Sequence, residues 1–128
     1  MAVILVVEDE EQIRVLVESI LVDDGHQTLS AGTTSQALAV IQTDLPIDLL
    51  FTDIRLGPDV PAGLVHSGLA LAHQAVELRP DLRVLYTTGY GVTHGMKTMF
   101  VPDSEFLPKP YDINQLVAKI AALTSKRT

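Results

Sequence analysis

The chain has no cysteine. Disulfides and thiolate metal sites are therefore excluded, and a reducing compartment, the cytoplasm, is the expected location. Long apolar stretches are missing as well. The longest, "AVILVV" with Met1 before it, runs to seven residues, far short of the roughly 20 that a membrane-spanning helix needs. The N-terminus has no basic start followed by a long apolar segment, so no secretion signal is read there. Basic residues are few: 9 Lys and Arg stand against 16 Asp and Glu, a net charge of −7. They are scattered (Arg14, Arg55, Arg79, Arg83, Lys97, Lys119), so direct nucleic-acid binding is not expected. Only "SKR", residues 125–127, is locally basic, and it reads as a solvated tail. There is no internal repeat and no linker. What remains is 128 residues, 47% hydrophobic, enough for one globular domain with a core of ordinary size.

Within that domain, short apolar runs alternate with helical patterns. "AVILVV" reads as a strand buried on both faces. Ile13, Leu16, Val17, Ile20 and Leu21 then share one helix face, with Gly25 as its stop. "HQTLSA" is a second strand, and Thr33 with Gln36 three residues on opens a helix to about Thr43. "IDLLFT", residues 47–52, is the third strand. A long loop follows, with Gly57, Pro58, Pro61 and Gly63 as turn residues. A helix from about Gly68 to Leu78 leads to a fourth strand, "RVLYT". Gly91 and Gly95 weaken any helix after it. "EFL" is a brief fifth strand. Asp112 caps a last helix whose Ile113, Leu116, Val117, Ile120 and Ala121 share a face. Five β-then-α units predict a parallel sheet covered by helices on both sides.

In such sheets ligands sit beyond the carboxyl ends of the strands. Glu8 and Asp9 follow the first strand, Asp53 the third, Thr88 the fourth and Lys109 the fifth. Two carboxylates about 4 Å apart repel by roughly 4 kcal/mol at an effective dielectric of 20, so such a crevice calls for a counter-ion or a raised pKa. Oxygen ligands with hard charge favour Mg²⁺. Asp9 taken alone is explained as well by favouring the dipole of the next helix, and Glu10 and Glu11 read that way. Asp53 ends an apolar strand with no helix to cap, and a carboxylate can be a nucleophile toward phosphorus. Lys109, between Pro108 and Pro110, suits an ammonium that neutralises phosphoryl oxygens, or is an ordinary surface lysine. Thr88 beside Gly89 offers a hydroxyl, although alone it is simply a β-branched strand residue. His26, His66, His73 and His94 show no metal spacing. Met96, Met99 and Phe100 form either an adaptable docking patch or the packing of a short helix.

Glu8-Asp9, Asp53, "TTG" at residues 87–89 and Lys109-Pro110, in that order, resemble the receiver domain of two-component response regulators, from Val3 to the last helix. The resemblance implies a doubly wound α/β fold of flavodoxin-like type, strand order 2-1-3-4-5. It implies that Asp53 accepts a phosphoryl group from a phosphohistidine on a sensor histidine kinase or a histidine phosphotransfer protein. Asp9 would ligate Mg²⁺ directly, Glu8 through water and Arg55 through its carbonyl, with Asp53 completing the set. Thr88 and Phe106 would be the switch pair, Lys109 the phosphate partner, and Lys109-Pro110 a cis bond. Partners would read the face of the fourth helix, fifth strand and fifth helix, and the helix 4 and helix 5 face leaves a homodimer open. Tyr90 and Arg55 would flank the phosphoryl group and control water access.

Three departures stand out. The loop between Asp53 and Gly68 is longer than usual in the family. Phe106 lacks the hydroxyl of the tyrosine found in some relatives. Nothing follows the fifth helix, so residues 1–128 are expected to be a single receiver without an output domain. The alternatives are a Mg²⁺-dependent phosphatase with an aspartate nucleophile, a flavin-binding domain of the same architecture, and a receiver cut from a larger protein. The phosphatase reading needs a second aspartate two residues after the nucleophile, where Arg55 stands. The flavin reading needs a phosphate loop where "EDEE" would repel one.

Overall fold

The computed structural model describes residues 2–55, 67–89 and 97–125. Among the described residues the elements run, in order, β1 (Val3–Val7), α1 (Glu11–Asp23), β2 (Gln27–Ala31), α2 (Thr34–Ile41), β3 (Leu49–Asp53), α3 (Ser67–Leu78), β4 (Arg83–Thr88), β5 (Glu105–Pro108) and α4 (Ile113–Ser125). The strands pair in parallel in the order β2-β1-β3-β4-β5, as the resemblance implied. The long loop and most of the fourth predicted helix, with Tyr90, His66, His94 and Met96, lie outside the described residues. The last helix, fifth in the sequence reading, is therefore α4. Among the described residues no helix is long and apolar enough to cross a membrane.

Side chains along a strand alternate between the faces of a sheet, and here both faces are covered. Leu5, Val7, Leu50, Val84 and Tyr86 pack with Ala37 and Ile41 of α2 and Leu69, Leu71, Ala72 and Ala75 of α3. Ile4, Val6, Leu49, Phe51, Leu85 and Leu107 pack with Val17 and Leu21 of α1 and Leu116, Ile120 and Leu123 of α4. Burial on both sides explains why the strands read as unbroken apolar runs. The same alternation, carried to the strand ends, assigns Glu8, Asp53 and Lys109 to the α1/α4 face, whereas Thr88 falls on the α2/α3 face with Tyr86.

The helix ends obey their local signals. Gly25 has φ +91°. Its N–H donates to Val22 O and that of His26 to Leu21 O, both at 3.0 Å, a Schellman closure that needs the glycine. Thr33 Oγ1 accepts from Gln36 N at 3.1 Å. Asp112 Oδ1 accepts from Gln115 N at 2.7 Å while Gln115 Oε1 accepts from Asp112 N at 2.9 Å, a reciprocal capping box.

Two helix faces differ from expectation. In α1 Val17 and Leu21 are buried, but Leu16 is 60% exposed. In α4 Leu116, Ile120 and Leu123 are buried, while Ile113 is 58% exposed and Ala121 is also exposed. The i, i+3, i+4 stripe is therefore wider than the buried face, by one residue in α1 and by two in α4. Leu16 and Ile113 border the same groove, where α1 and the start of α4 diverge.

Candidate functional site

The carboxyl ends of β1, β3 and β5 bring Glu8, Asp53 and Lys109 together. Lys109 Nζ donates to Asp53 Oδ2 at 2.8 Å and to Glu8 Oε1 at 2.9 Å. Glu8 and Asp53 are only 5% and 6% exposed. Asp9 is half-buried beside them, and ligand oxygens of Glu8, Asp9 and Asp53 all lie within 4.8 Å of one another. Sequence reasoning named all four residues, and the structure gathers all four. It does not gather the histidines it describes: His26 pairs with Asp24 at 3.2 Å and His73 meets the carbonyl of Met99.

Burial dominates the electrostatics. It raises the Asp53 carboxyl above the ordinary aspartate value and Glu8 above the ordinary glutamate value, because hydrogen bonds from the one ammonium only partly offset lost hydration. Burial also works against the charge of Lys109, but its two carboxylate partners outweigh that and hold the ammonium protonated well above the usual lysine range. The buried carboxylates therefore hold more negative charge than the Lys109 ammonium compensates. Three convergent oxygen donors with a charge deficit suit a hard divalent cation.

The main chain is braced around these side chains. Asp53 Oδ1 accepts from Arg55 N at 3.1 Å, so the acid closes the turn it leads into. Glu8 Oε2 accepts from Glu10 N at 3.2 Å, and Glu10, at the N-cap of α1, makes no side-chain cap itself. Lys109 N donates to Thr88 O at 3.0 Å, and the Lys109-Pro110 bond is cis. Thr88 is buried at the end of β4. Phe106 is half-buried, 6.1 Å from Phe100, which in turn stacks on Tyr86 at 4.3 Å. Phe100 is thus core packing, while Met99 is exposed.

Sequence reasoning missed three neighbours of the site. Arg14, read only as a scattered charge, donates from Nη1 to the Glu8 carbonyl at 2.7 Å. Its position in the first turn of the helix after an acidic strand end was the available signal. Gly68 N donates to Ile54 O at 2.8 Å. A Cβ at Gly68 would collide with the Asp53 carbonyl oxygen and sit 2.8 Å from Ile54 Cα, so only glycine lets α3 begin there. Tyr111 lies edge-on to Phe51 at 6.2 Å, its phenol pushed up to about 12 by burial. No sequence pattern marked it.

The described residues thus present a doubly wound sheet with an acidic crevice and a lysine at its carboxyl edge. The chain belongs to the response regulator receiver domain family, whose profile matches residues 4–121. It is 29% identical over 128 residues to the DNA-binding transcriptional regulator NtrC of Azospirillum brasilense, covering 99% of this chain but 25% of that protein. It thus spans about a quarter of that relative. It is also 29% identical over 118 residues to the response regulator receiver protein CpdR of Brucella abortus, covering 91% of this chain and 92% of that protein. The crystal structure of a response regulator receiver protein from Sinorhizobium medicae superposes with a TM-score of 0.85 at 28% identity, over 99% of this chain and 97% of that one. The protein is a receiver domain of the two-component type, a signalling module. The phosphatase alternative is not favoured. Receiver domains interact with histidine kinases or phosphotransfer proteins and generally bind Mg²⁺.

Proposed function

We propose that Asp53 is the phosphoacceptor of this receiver, and that residues 1–128 act as one phosphorylation-switched unit in the cytoplasm. The observation that carries the assignment is the pairing of a buried Asp53 with Lys109 from another strand, beside Glu8 and Asp9. An oxygen of Asp53 attacks the phosphorus of a phosphohistidine on a sensor histidine kinase or phosphotransfer protein. The P–N bond breaks, and its electron pair returns to the imidazole, which takes up a proton. Lys109 then turns from the carboxylate to a phosphoryl oxygen, where its charge offsets the group's own. Glu8, Asp9, Asp53 and the Arg55 carbonyl would hold Mg²⁺, whose charge neutralises the crevice and the phosphoryl oxygens.

Thr88 is the hydroxyl that would follow the phosphoryl group. Phe106 is the ring that would respond, its motion felt by Phe100 and Tyr86, and the outcome is a population shift read by a partner or a second copy at the β5/α4 side. An apolar groove of about 780 Å³ lined by Ile13, Leu16, Ile20, Tyr111 and Ile113, with Lys109 also in its wall, offers the phosphoryl donor a docking surface beside the site. Incubation with a small phosphodonor and Mg²⁺ should add one acid-labile phosphoryl group by intact mass, and Asp53→Asn should abolish it. Labelling of Asp53→Asn at unchanged stoichiometry would mean that another residue is the acceptor.

A further inference from the structure

Thr87, the residue before the switch threonine, has no part in the phosphotransfer chemistry assigned to Asp53, Thr88 and Lys109. It is 3% exposed, and its Oγ1 has no hydrogen-bond partner among the described residues. Buried hydroxyls are nearly always paired, so an orphan calls for an explanation. The register supplies one. Thr87 is the Cα partner of Asp53 on β3 and of Leu107 on β5. Leu85 and Leu107 face α1 and α4, so alternation puts the Thr87 side chain on that same face, beside Asp53. Lys109, two residues beyond Leu107, must cross β4 to reach Asp53 Oδ2 at 2.8 Å. Its stem therefore passes over the β4 end, and Lys109 Cδ lies 3.9 Å from where a Cβ on Gly89 would be. Both Asp53 oxygens are already engaged, Oδ2 by Lys109 and Oδ1 by Arg55 N.

We propose that the Thr87 hydroxyl donates to the Asp53 carboxyl oxygen in the phosphorylated protein and shortens the lifetime of the acyl phosphate. The proposal rests on Asp53 being the phosphoacceptor. When Lys109 turns to the phosphoryl group it releases Asp53 Oδ2, and the Thr87 hydroxyl, beside it in the register, can then donate to it. In hydrolysis a water oxygen bonds to phosphorus while the bond from phosphorus to the Asp53 oxygen breaks. Its electron pair returns to the carboxylate, and the water gives up a proton to solvent. Negative charge grows on the carboxyl group during that step, and a hydroxyl aimed at it stabilises the leaving group. In the resting protein the same hydroxyl is a buried group without a partner, so the site trades stability for turnover of the signal.

The test compares Thr87→Val, which keeps the shape and loses the hydroxyl, with Thr87→Ser, which keeps the hydroxyl. Each protein is labelled with a small phosphodonor and Mg²⁺, the donor is removed, and loss of phosphate is followed by intact mass alongside a melting curve. Thr87→Val should melt higher than the wild type yet hold phosphate longer, by about two- to tenfold for one neutral hydrogen bond. Thr87→Ser should decay within about twofold of the wild type on the same scale. If Thr87→Val melts higher with an unchanged or shorter phosphate lifetime, or if Thr87→Ser is as slow as Thr87→Val, the hydroxyl has no such role. A wild type that takes up no phosphate would instead overturn the phosphoacceptor assignment itself.

Discussion

Replacing Lys109 by methionine keeps an unbranched apolar stem and removes the ammonium. Two buried carboxylates then face each other with their shared partner gone. At 2.8 and 2.9 Å each contact is a raw attraction of about 6 kcal/mol at an effective dielectric of 20. Most of that is offset by the lost hydration of three groups. Removing one member of a buried pair typically costs about 3–5 kcal/mol. For a domain of this size each kcal/mol moves the melting temperature by roughly 3 °C, so Lys109→Met should melt about 10–15 °C below the wild type. The assay is thermal unfolding followed by circular dichroism near neutral pH with a chelator present. Two further arms identify the cause. Acid should narrow the gap, because the stranded carboxylates take up protons. Saturating Mg²⁺ should narrow it too, by supplying the missing charge. A metal-free deficit at neutral pH under about 1 kcal/mol, the level of an exposed ion pair, would refute the reasoning.

Acid–base linkage makes a second prediction. Asp53 and Glu8 titrate above their ordinary values of 3.8 and 4.5 because they are buried. The folded metal-free protein therefore holds protons that the unfolded chain has already released. Stability from these two groups falls as pH rises through that window, and the penalty persists above it. Lys109, shifted upward, contributes fully below 10.5 and loses its contribution only as pH rises beyond it. The Mg²⁺-induced rise in melting temperature should therefore grow from about pH 4 to about pH 7, and equal increments at both ends would contradict it. Tyr86→Phe should keep the stack on Phe100 but leave the buried Val101 N–H, now 3.1 Å from Tyr86 Oη, without an acceptor. Urea unfolding should show a loss of about 1–2 kcal/mol with an unchanged denaturant slope, and no loss would mean that the amide finds another partner.

The sheet and the charged site were largely legible because both are written in side-chain type. An apolar run that stops at Glu8, Asp53 or Lys109 states where a strand ends and which charge stands there. Asp53 and Thr88 proved to be the last residues of β3 and β4 rather than the first after them, a shift that leaves their side chains at the same edge. Leu16 and Ile113 were misread because periodicity gives the direction of a side chain around its own helix, not whether a neighbour reaches far enough to cover it. Thr87 was silent for a different reason. A threonine in a strand reads the same whether or not its hydroxyl finds a partner. Arg14 and Gly68 matter through contacts with main-chain atoms, and a list of residue types does not show where the backbone will pass.

The contact between Gly68 and the Asp53–Ile54 backbone has a consequence for the stretch at 56–66. Arg55 leaves the sheet, and the chain is recaptured at Gly68 against the very peptide it departed from. Both gateposts stand on the rigid scaffold, so the span between them can grow or shrink without dragging β3 or α3 along. Lengthening such a closed excursion carries only a logarithmic entropic penalty. Swapping that span between relatives would therefore leave the aspartate where it is.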